Sequence, residues 1–349
     1  MEVMRLDAPQ LQQLRASPRR WLLTGSAGFI GSHLLETLLR LGQTVRSIDN
    51  FATGHQENLE EVEESVGSEA WSRHSFHEID ISDPKACASV CDSIDVVLHQ
   101  AALGSVPRSI EQPLLTHAAN ASGFLNLLDA ARLSRVPRFV YAASSSTYGD
   151  DPRLPKREPD IGRPLSPYAV TKYLNELYAG VYARCYGIET IGLRYFNVFG
   201  PRQDPLGAYA AVIPKWVGQM LDGKDCVING DGETSRDFTY VANVIQANML
   251  AATTQNPAAI NQVYNVAFGE AVTLNMLHSL IAGTIRMKRP GAPIASPVNG
   301  VLRPGDVRHS LADVEKARQL IGYLPSHDVR RGLDETVTWY LSKAPAASM

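Results

Sequence analysis

The sequence predicts an α/β protein, a doubly wound parallel sheet followed by a smaller C-terminal α/β domain. Two observations carry this. Short apolar runs alternate with helical patterns from Arg20 to Arg194, and after Gly200 the texture changes. There Pro201, Pro205, Gly207, Pro214, Gly230 and Gly232 punctuate shorter elements. Strands separated by helices pair in parallel, because each crossover helix returns the chain to the same end of the sheet.

The elements follow in order. Residues 1–19 are polar with a weak helical rhythm and read as an N-terminal extension. Trp21-Leu22-Leu23 is a short buried strand, and Ser32 to Leu41 a helix with Leu34, Leu35, Leu38 and Leu39 on its apolar face. Thr44 to Ile48 and His74 to Ile79 are the next strands, and Asp83 opens a helix. Ile94 to Leu98 is apolar apart from Asp95, as in a sheet covered on both faces. A long helix fills roughly 113–134, Arg138 to Ala143 is a strand, Ser166 to Cys185 a helix, and Ile188 to Arg194 a sixth strand. The expected domains are therefore 20–200, with 239–268 returning to its sheet, and 201–343, with 344–349 an Ala-rich tail.

Composition narrows the function classes. The 349 residues are 44% hydrophobic and 20% charged, which describes an ordinary globular chain. A net charge of −3 asks for neither nucleic acid nor an anionic membrane as partner. No apolar run reaches the roughly 18 residues of a membrane span. Leu6, Leu11 and Leu14 sit among polar residues rather than in a signal-peptide core, so a cytoplasmic protein is expected. Cys87 and Cys91 lie one helical turn apart, but no second pair or histidine cluster completes a metal set. The four cysteines, with Cys185 and Cys226, read as reduced buried thiols, and no metal is expected.

Thr24-Gly-Ser-Ala-Gly-Phe-Ile-Gly31 follows the first strand directly and opens a helix. Gly25 allows a tight turn, Gly28 lets a pyrophosphate approach the backbone, and Gly31 allows close packing of helix on sheet. Phe29 and Ile30 lie in the loop that opens the helix, whose N-terminal N–H groups face the phosphates. Asp49 ends the second strand, where an acid binds the adenosine ribose diol and repels a 2′-phosphate. This is a Rossmann-type site that favours NAD over NADP, and Asn50 follows the acid. Two more loops sit at carboxyl ends of strands: Asp80-Ile81, and His99-Gln100-Ala101-Ala102, whose small residues permit close cofactor approach.

Tyr168 and Lys172 lie four apart on one face of a helix. A free phenol, with a pKa of about 10, is a poor base at neutral pH. A fixed ammonium nearby, together with the positive ring of an oxidised nicotinamide, is expected to pull that pKa down. The pair would then take a proton from a substrate hydroxyl while hydride leaves the same carbon.

These motifs, with Ser144-Ser-Ser-Thr-Tyr148-Gly149 and Arg194-Tyr195-Phe196-Asn197, resemble the nucleotide-sugar 4-epimerases of the extended short-chain dehydrogenase/reductase family over roughly residues 20–343. The stretches 100–109, 207–215, 229–238 and 305–310 are similar to its bacterial UDP-N-acetylglucosamine 4-epimerases of surface-polysaccharide (O-antigen) pathways. The resemblance implies roles for particular residues. Ser144 would hold the sugar O4 and relay its proton to Tyr168, with Ser145 and Ser146 open as sharers of that contact. Lys172 would also grip the nicotinamide ribose, Tyr195 would pack beside the nicotinamide, and Asn120 would touch the cofactor. Asn197, Ala211, Val212, Asn229, Arg236, Arg303 and Asp306 would surround the UDP half, and Gly104 and Ser105 the mouth of the sugar pocket. Ser310 stands where a bulky tyrosine accompanies glucose and galactose, so its small side chain implies room for a 2-acetamido group. A homodimer through the helices near 113–134 and 166–185 is also implied.

The expected reaction is interconversion of UDP-GlcNAc and UDP-GalNAc through a 4-keto sugar, with tightly bound NAD. Rival readings are separable. A 4,6-dehydratase usually has an Asp-Glu pair where Ser145-Ser146 stand. A UDP-glucose/UDP-galactose or UDP-uronic acid 4-epimerase remains the alternative. A nonenzymatic NAD-binding sensor usually loses the tyrosine or lysine that this chain keeps.

Overall fold

The structure, a computed structural model, describes residues 12, 14–207, 210–301 and 307–343. Its core is a seven-stranded sheet in which every pairing is parallel. In chain order the first half runs β1 (Arg20–Thr24), α1 (Phe29–Arg40), β2 (Thr44–Asp49), α2 (Gln56–Val66), β3 (His74–Glu78), α3 (Pro84–Val90) and β4 (Val96–His99). It continues with α4 (Val106–Glu111), α5 (Pro113–His117), a π-turn at Ala118–Ser122, α6 (Gly123–Leu133), β5 (Arg138–Ser144), α7 (Pro167–Tyr186) and β6 (Glu189–Tyr195). The expected helix at 113–134 is continuous from Pro113 to Leu133 with a π-helical stretch inside it, whereas neither α2 nor α4 was foreseen. α2 carries only Leu59 and Val62 as fully buried apolar residues, too thin a stripe to read in advance.

The second half supplies β7 (Val198–Phe199), α8 (Val212–Leu221), β8 (Val227–Asn229), β9 (Ser235–Asp237), β10 (Thr239–Tyr240), α9 (Val241–Thr253) and β11 (Gln262–Val266). β12 (Ala271–Thr273), α10 (Leu274–Lys288), β13 (Val298–Gly300), α11 (Glu315–Ile321) and α12 (Val329–Lys343) complete it. The strand order is β11-β6-β5-β4-β1-β2-β3, so residues 262–266 return to the sheet beside β6. The order reverses between β1 and β4, and such a switch point opens a crevice at the carboxyl ends of the strands.

Apolar packing holds both faces. Trp21, Leu23, Leu34, Leu38 and Leu98 lie with α1 and α9 on one side; Leu22, Val97, Phe124, Leu128 and Phe139 lie with α6 on the other. The N-terminal extension is partly built into the fold. Leu14 is buried, and the fully buried Gln43 donates to the carbonyls of Leu14 and Leu41 while accepting from Arg19 N and Trp21 Nε1. All four amide hydrogen-bonding positions of Gln43 are thus used, which satisfies a buried polar group in full.

The cysteines need one correction. Cys87, Cys91 and Cys226 are buried, and burial pushes the thiols of Cys87 and Cys91 up to about 12. Cys185 is exposed on α7, because it falls on the outer face near the end of that helix. Among the described residues no helix is long and apolar enough to cross a membrane.

Candidate active site

The carboxyl ends of β1, β2, β4, β5 and β6 converge on one edge of the sheet, and each brings a predicted residue with it. The glycine loop comes first. Gly25 has φ +72°, and a Cβ there would lie 2.8 Å from Ala101 N, so the loop is seated directly on the strand-4 loop. A Cβ on Gly31 would overlap the Gly25 carbonyl, which brings α1 into contact with the turn. α1 begins at Phe29 with Gly28 as its cap residue and no side-chain cap, leaving the first-turn amides directed at the crevice. Such a cradle suits a pyrophosphate. Gly25, Gly28 and Gly31 with Phe29 and Ile30 are the residues that would hold it.

Asp49 is buried at the end of β2. Its Oδ2 accepts from Ala27 N at 3.0 Å and its Oδ1 from Phe51 N at 2.8 Å. Burial pushes this carboxyl up, and those backbone donors partly offset the effect. The acid thus clamps the glycine loop as well as standing at the ribose position. Asn50 donates to Asp80 Oδ2 at 2.9 Å, linking the ends of β2 and β3. Ile81 is buried against Gly123 of α6.

Thr24 is the joint between strands 1 and 4. Its Oγ1 lies 2.9 Å from His99 Nδ1 and accepts from Gln100 N and Ala101 N. His99 is buried, and burial pushes its imidazole down to about 3, so the ring is neutral. Ala101 and Ala102 are half-buried beside this loop. Gln100, Tyr195 and Asn248 close a ring. The Tyr195 hydroxyl donates to Gln100 Oε1 at 3.0 Å, while Asn248 Nδ2 donates to Tyr195 Oη at 2.8 Å. Gln100 Nε2 completes it by donating to Asn248 Oδ1 at 3.1 Å.

Asn120 departs from the expected cofactor contact. Its Oδ1 accepts from Leu103 N at 2.7 Å, and its Nδ2 donates to Leu103 O at 3.1 Å. Nδ2 also donates to Thr171 Oγ1 at 3.4 Å, so both amide hydrogens of this fully buried residue are used within the protein, where they shape the 101–105 loop. At the mouth of the pocket Gly104 is exposed, and Ser105 takes φ 146°, a strained conformation for a side-chain-bearing residue.

The catalytic candidates meet where β5 ends against α7. Ser144 is buried and its Oγ accepts from Ser146 N at 3.1 Å, capping the 3₁₀ turn Ser145–Tyr148. The same hydroxyl acts on the nearby Tyr168 phenol and lowers its pKa, whereas Ser145 and Ser146 are half-buried beside it. Lys172 is buried, with Nζ 6.0 Å from the Tyr168 ring centre, and donates to Ala142 O at 2.9 Å.

The expected depression of the tyrosine is not what the protein alone produces. Burial pushes Tyr168 above the usual phenol value, offset in part by the Ser144 hydrogen bond. Burial also pushes Lys172 down to about 8. Desolvation is the largest influence on both groups in the protein alone.

The described substrate-side candidates lie on the second half of the chain, from Asn197 to Ser310. Asn197, exposed and with φ 34°, donates to Asp237 O at 3.1 Å. Arg236 lies on β9 and donates through Nη1 to Ser235 O and Arg308 O. Ala211 and Val212 open α8, and Asn229 ends β8, which pairs with β13. Ser310 is half-buried on a strap, residues 307–313, and its N donates to Ser235 O at 3.1 Å. Arg303 and Asp306 lie outside the described residues.

Three polar residues with evident structural work were not anticipated: Asn248, Asp237 and Asn265. Each is fully buried. The available signal was a polar residue set among apolar ones, as in Tyr264-Asn265-Val266.

With this geometry established, comparison with known proteins is decisive for class. Residues 21–267 match the NAD dependent epimerase/dehydratase family. The UDP-glucose 4-epimerase of Mycolicibacterium smegmatis is 35% identical, covering 93% of this chain and 99% of that one. The structure of a UDP-N-acetylglucosamine 4-epimerase from Methanobrevibacter ruminantium, in complex with UDP-N-acetylmuramic acid, superposes with TM-score 0.85 at 36% identity, covering 94% and 100%. A UDP-glucuronic acid 4-epimerase from Bacillus cereus, with UDP-glucuronic acid and NAD, gives 0.80 at 31%, covering 93% and 100%. The chain belongs to the NAD dependent epimerase/dehydratase family. Its cofactor is NAD.

Proposed function

We propose that this protein is a UDP-sugar 4-epimerase whose preferred substrates are UDP-N-acetylglucosamine and UDP-N-acetylgalactosamine. The Tyr168–Ser144 contact beside Lys172 supports the 4-epimerase chemistry. Ser310 supports the sugar class: a small, half-buried side chain on the substrate side of the crevice leaves room for an acetamido group.

Bound NAD supplies a hydride acceptor and donor. Ser144 holds the sugar O4, and Tyr168 accepts the O4 proton as C4 loses hydride. Once the 4-keto sugar has turned about its diphosphate, Tyr168 would return the proton to O4 as C4 is reduced on its other face. Arg236, Asn197, Asn229, Ala211 and Val212, with Arg303 and Asp306, hold the UDP half, so remote binding energy serves the reacting carbon. Lys172 holds the nicotinamide ribose and stabilises the phenolate. The exposed Leu114 and Leu115 of α5 and Val170, Leu177 and Val181 of α7 support pairing of two copies through these helices.

The test is purified protein without added NAD, given UDP-GlcNAc, UDP-glucose or UDP-glucuronate, with products resolved by anion exchange. Rapid conversion of UDP-GlcNAc to an equilibrium mixture with UDP-GalNAc is expected, and markedly slower conversion of the others. Dominant turnover of UDP-glucuronate would overturn the sugar assignment. Tyr168→Phe is expected to lower kcat about 10³-fold while bound NAD remains. Near-normal turnover by that variant would overturn the mechanism.

A further inference from the structure

We propose that Tyr148 and Asn265 form a joint that fixes the spacing between Ser144 and the strap carrying Ser310, which makes both of them positioning residues for sugar selection. The inference rests on the reading of Ser310 as a wall of the sugar pocket. Neither side chain faces the crevice; both are buried behind it.

Tyr148 ends the 3₁₀ turn that Ser144 caps, so its ring and the catalytic serine belong to one short rigid unit. The Arg194 guanidinium covers that ring at 4.8 Å from its centre. Arg194 in turn holds Glu176 with two hydrogen bonds, at 2.9 and 2.7 Å. Glu176 is one turn beyond Lys172 on α7, so the serine turn and the tyrosine helix are locked to each other. The pair is buried on both sides, where losing one partner strands a charge.

The Tyr148 hydroxyl leaves this unit and donates to Asn265 Oδ1 at 2.6 Å. Asn265, on β11, donates through Nδ2 to Lys156 O at 2.8 Å and to Asp313 O at 2.9 Å. Its own N donates to Glu158 Oε1. One amide therefore ties the serine turn, the 150–160 loop and the strap. The strap is gripped along its length: Lys156 N donates to Leu311 O at 2.7 Å, Asp313 N to Lys156 O at 2.9 Å, and Ala312 N to Asp237 Oδ2 at 3.2 Å. Ser310, whose own N donates to Ser235 O, directly precedes these grips. A displacement at Asn265 reaches Ser310 through at most three peptide units, and reaches Ser144 through one tyrosine.

The test compares kcat/KM for UDP-GlcNAc with that for UDP-glucose in four proteins: wild type, Tyr148→Phe, Tyr264→Phe and Ser310→Tyr. Tyr148→Phe keeps the ring beneath Arg194 and removes only the hydroxyl, and is expected to lower the acetylated-to-plain ratio about five-fold, with NAD content retained. Tyr264→Phe deletes an equally buried hydroxyl that donates to Ala259 O, at the end of the 3₁₀ turn 257–259 that precedes β11. It is expected to lower Tm without moving the ratio. An unchanged ratio in Tyr148→Phe, or an equal change in both phenylalanine variants, overturns the joint. If Ser310→Tyr leaves the ratio unchanged, the reading of Ser310 fails and the joint's role in selection fails with it. Should Tyr148→Phe not fold, Asn265→Ser, which breaks both carbonyl bonds, decides by the same ratio.

Discussion

The glycine loop and the Ser310 strap both line the crevice, yet they are held in opposite ways. The loop is eight consecutive residues whose shape follows from the absence of side chains at Gly25 and Gly31. The strap has no such local rule. It is held by Ser235, Asp237 and Asn265 from the substrate half and the end of the sheet, and by Lys156, some 155 residues earlier in the chain. The half of the site that meets an invariant cofactor is encoded locally. The half proposed to choose among sugars is suspended from distant hydrogen bonds, where single substitutions are expected to retune it without disturbing the cofactor.

That contrast can be broken most forcefully at the loop. Gly31→Ala drives a methyl into the Gly25 carbonyl and is expected to cost about 3 kcal/mol of stability. NAD is expected to be lost on purification, which absorbance of the isolated protein would show. A variant of normal Tm that retains NAD would mean that the loop yields as easily as the strap.

A smaller effect is expected at Asp237, the buried carboxylate that accepts from Phe268, Gly269 and Ala312 N. Burial without a cation pushes it up to about 7. A carboxyl raised above its unfolded value is most stabilising when protonated. Its contribution is full below the unfolded pKa of 3.8 and is lost as pH rises through about 7. Asp237→Asn cannot ionise, so its stability relative to wild type should improve between pH 5 and 7, by up to about 2 kcal/mol. Denaturant titrations at the two pH values check this, and a pH-independent difference would show that the strap's anchor stays charged throughout. The smallest change is expected at the strap's outer end. Ser235→Ala removes the contact of Ser235 Oγ with His309 Nδ1, 2.9 Å apart, but keeps both backbone bonds. It should cost no more than about 1 kcal/mol and leave the substrate ratio intact, as kinetics and melting together would show.

Much of this molecule is determined by sequence alone. The strand–glycine–helix unit, the six successive strands, Asp49 at the end of β2 and the Tyr168–Lys172 spacing are local patterns, set by steric limits and helical periodicity within a few residues. Tertiary structure decided the rest. It placed Asn120 inside the protein, exposed Cys185, raised the Tyr168 phenol by burial, and gathered Tyr148, Asn265 and Lys156 behind Ser310. Desolvation and long-range hydrogen bonds depend on which distant segments close over a group, and no local pattern of residues carries that information.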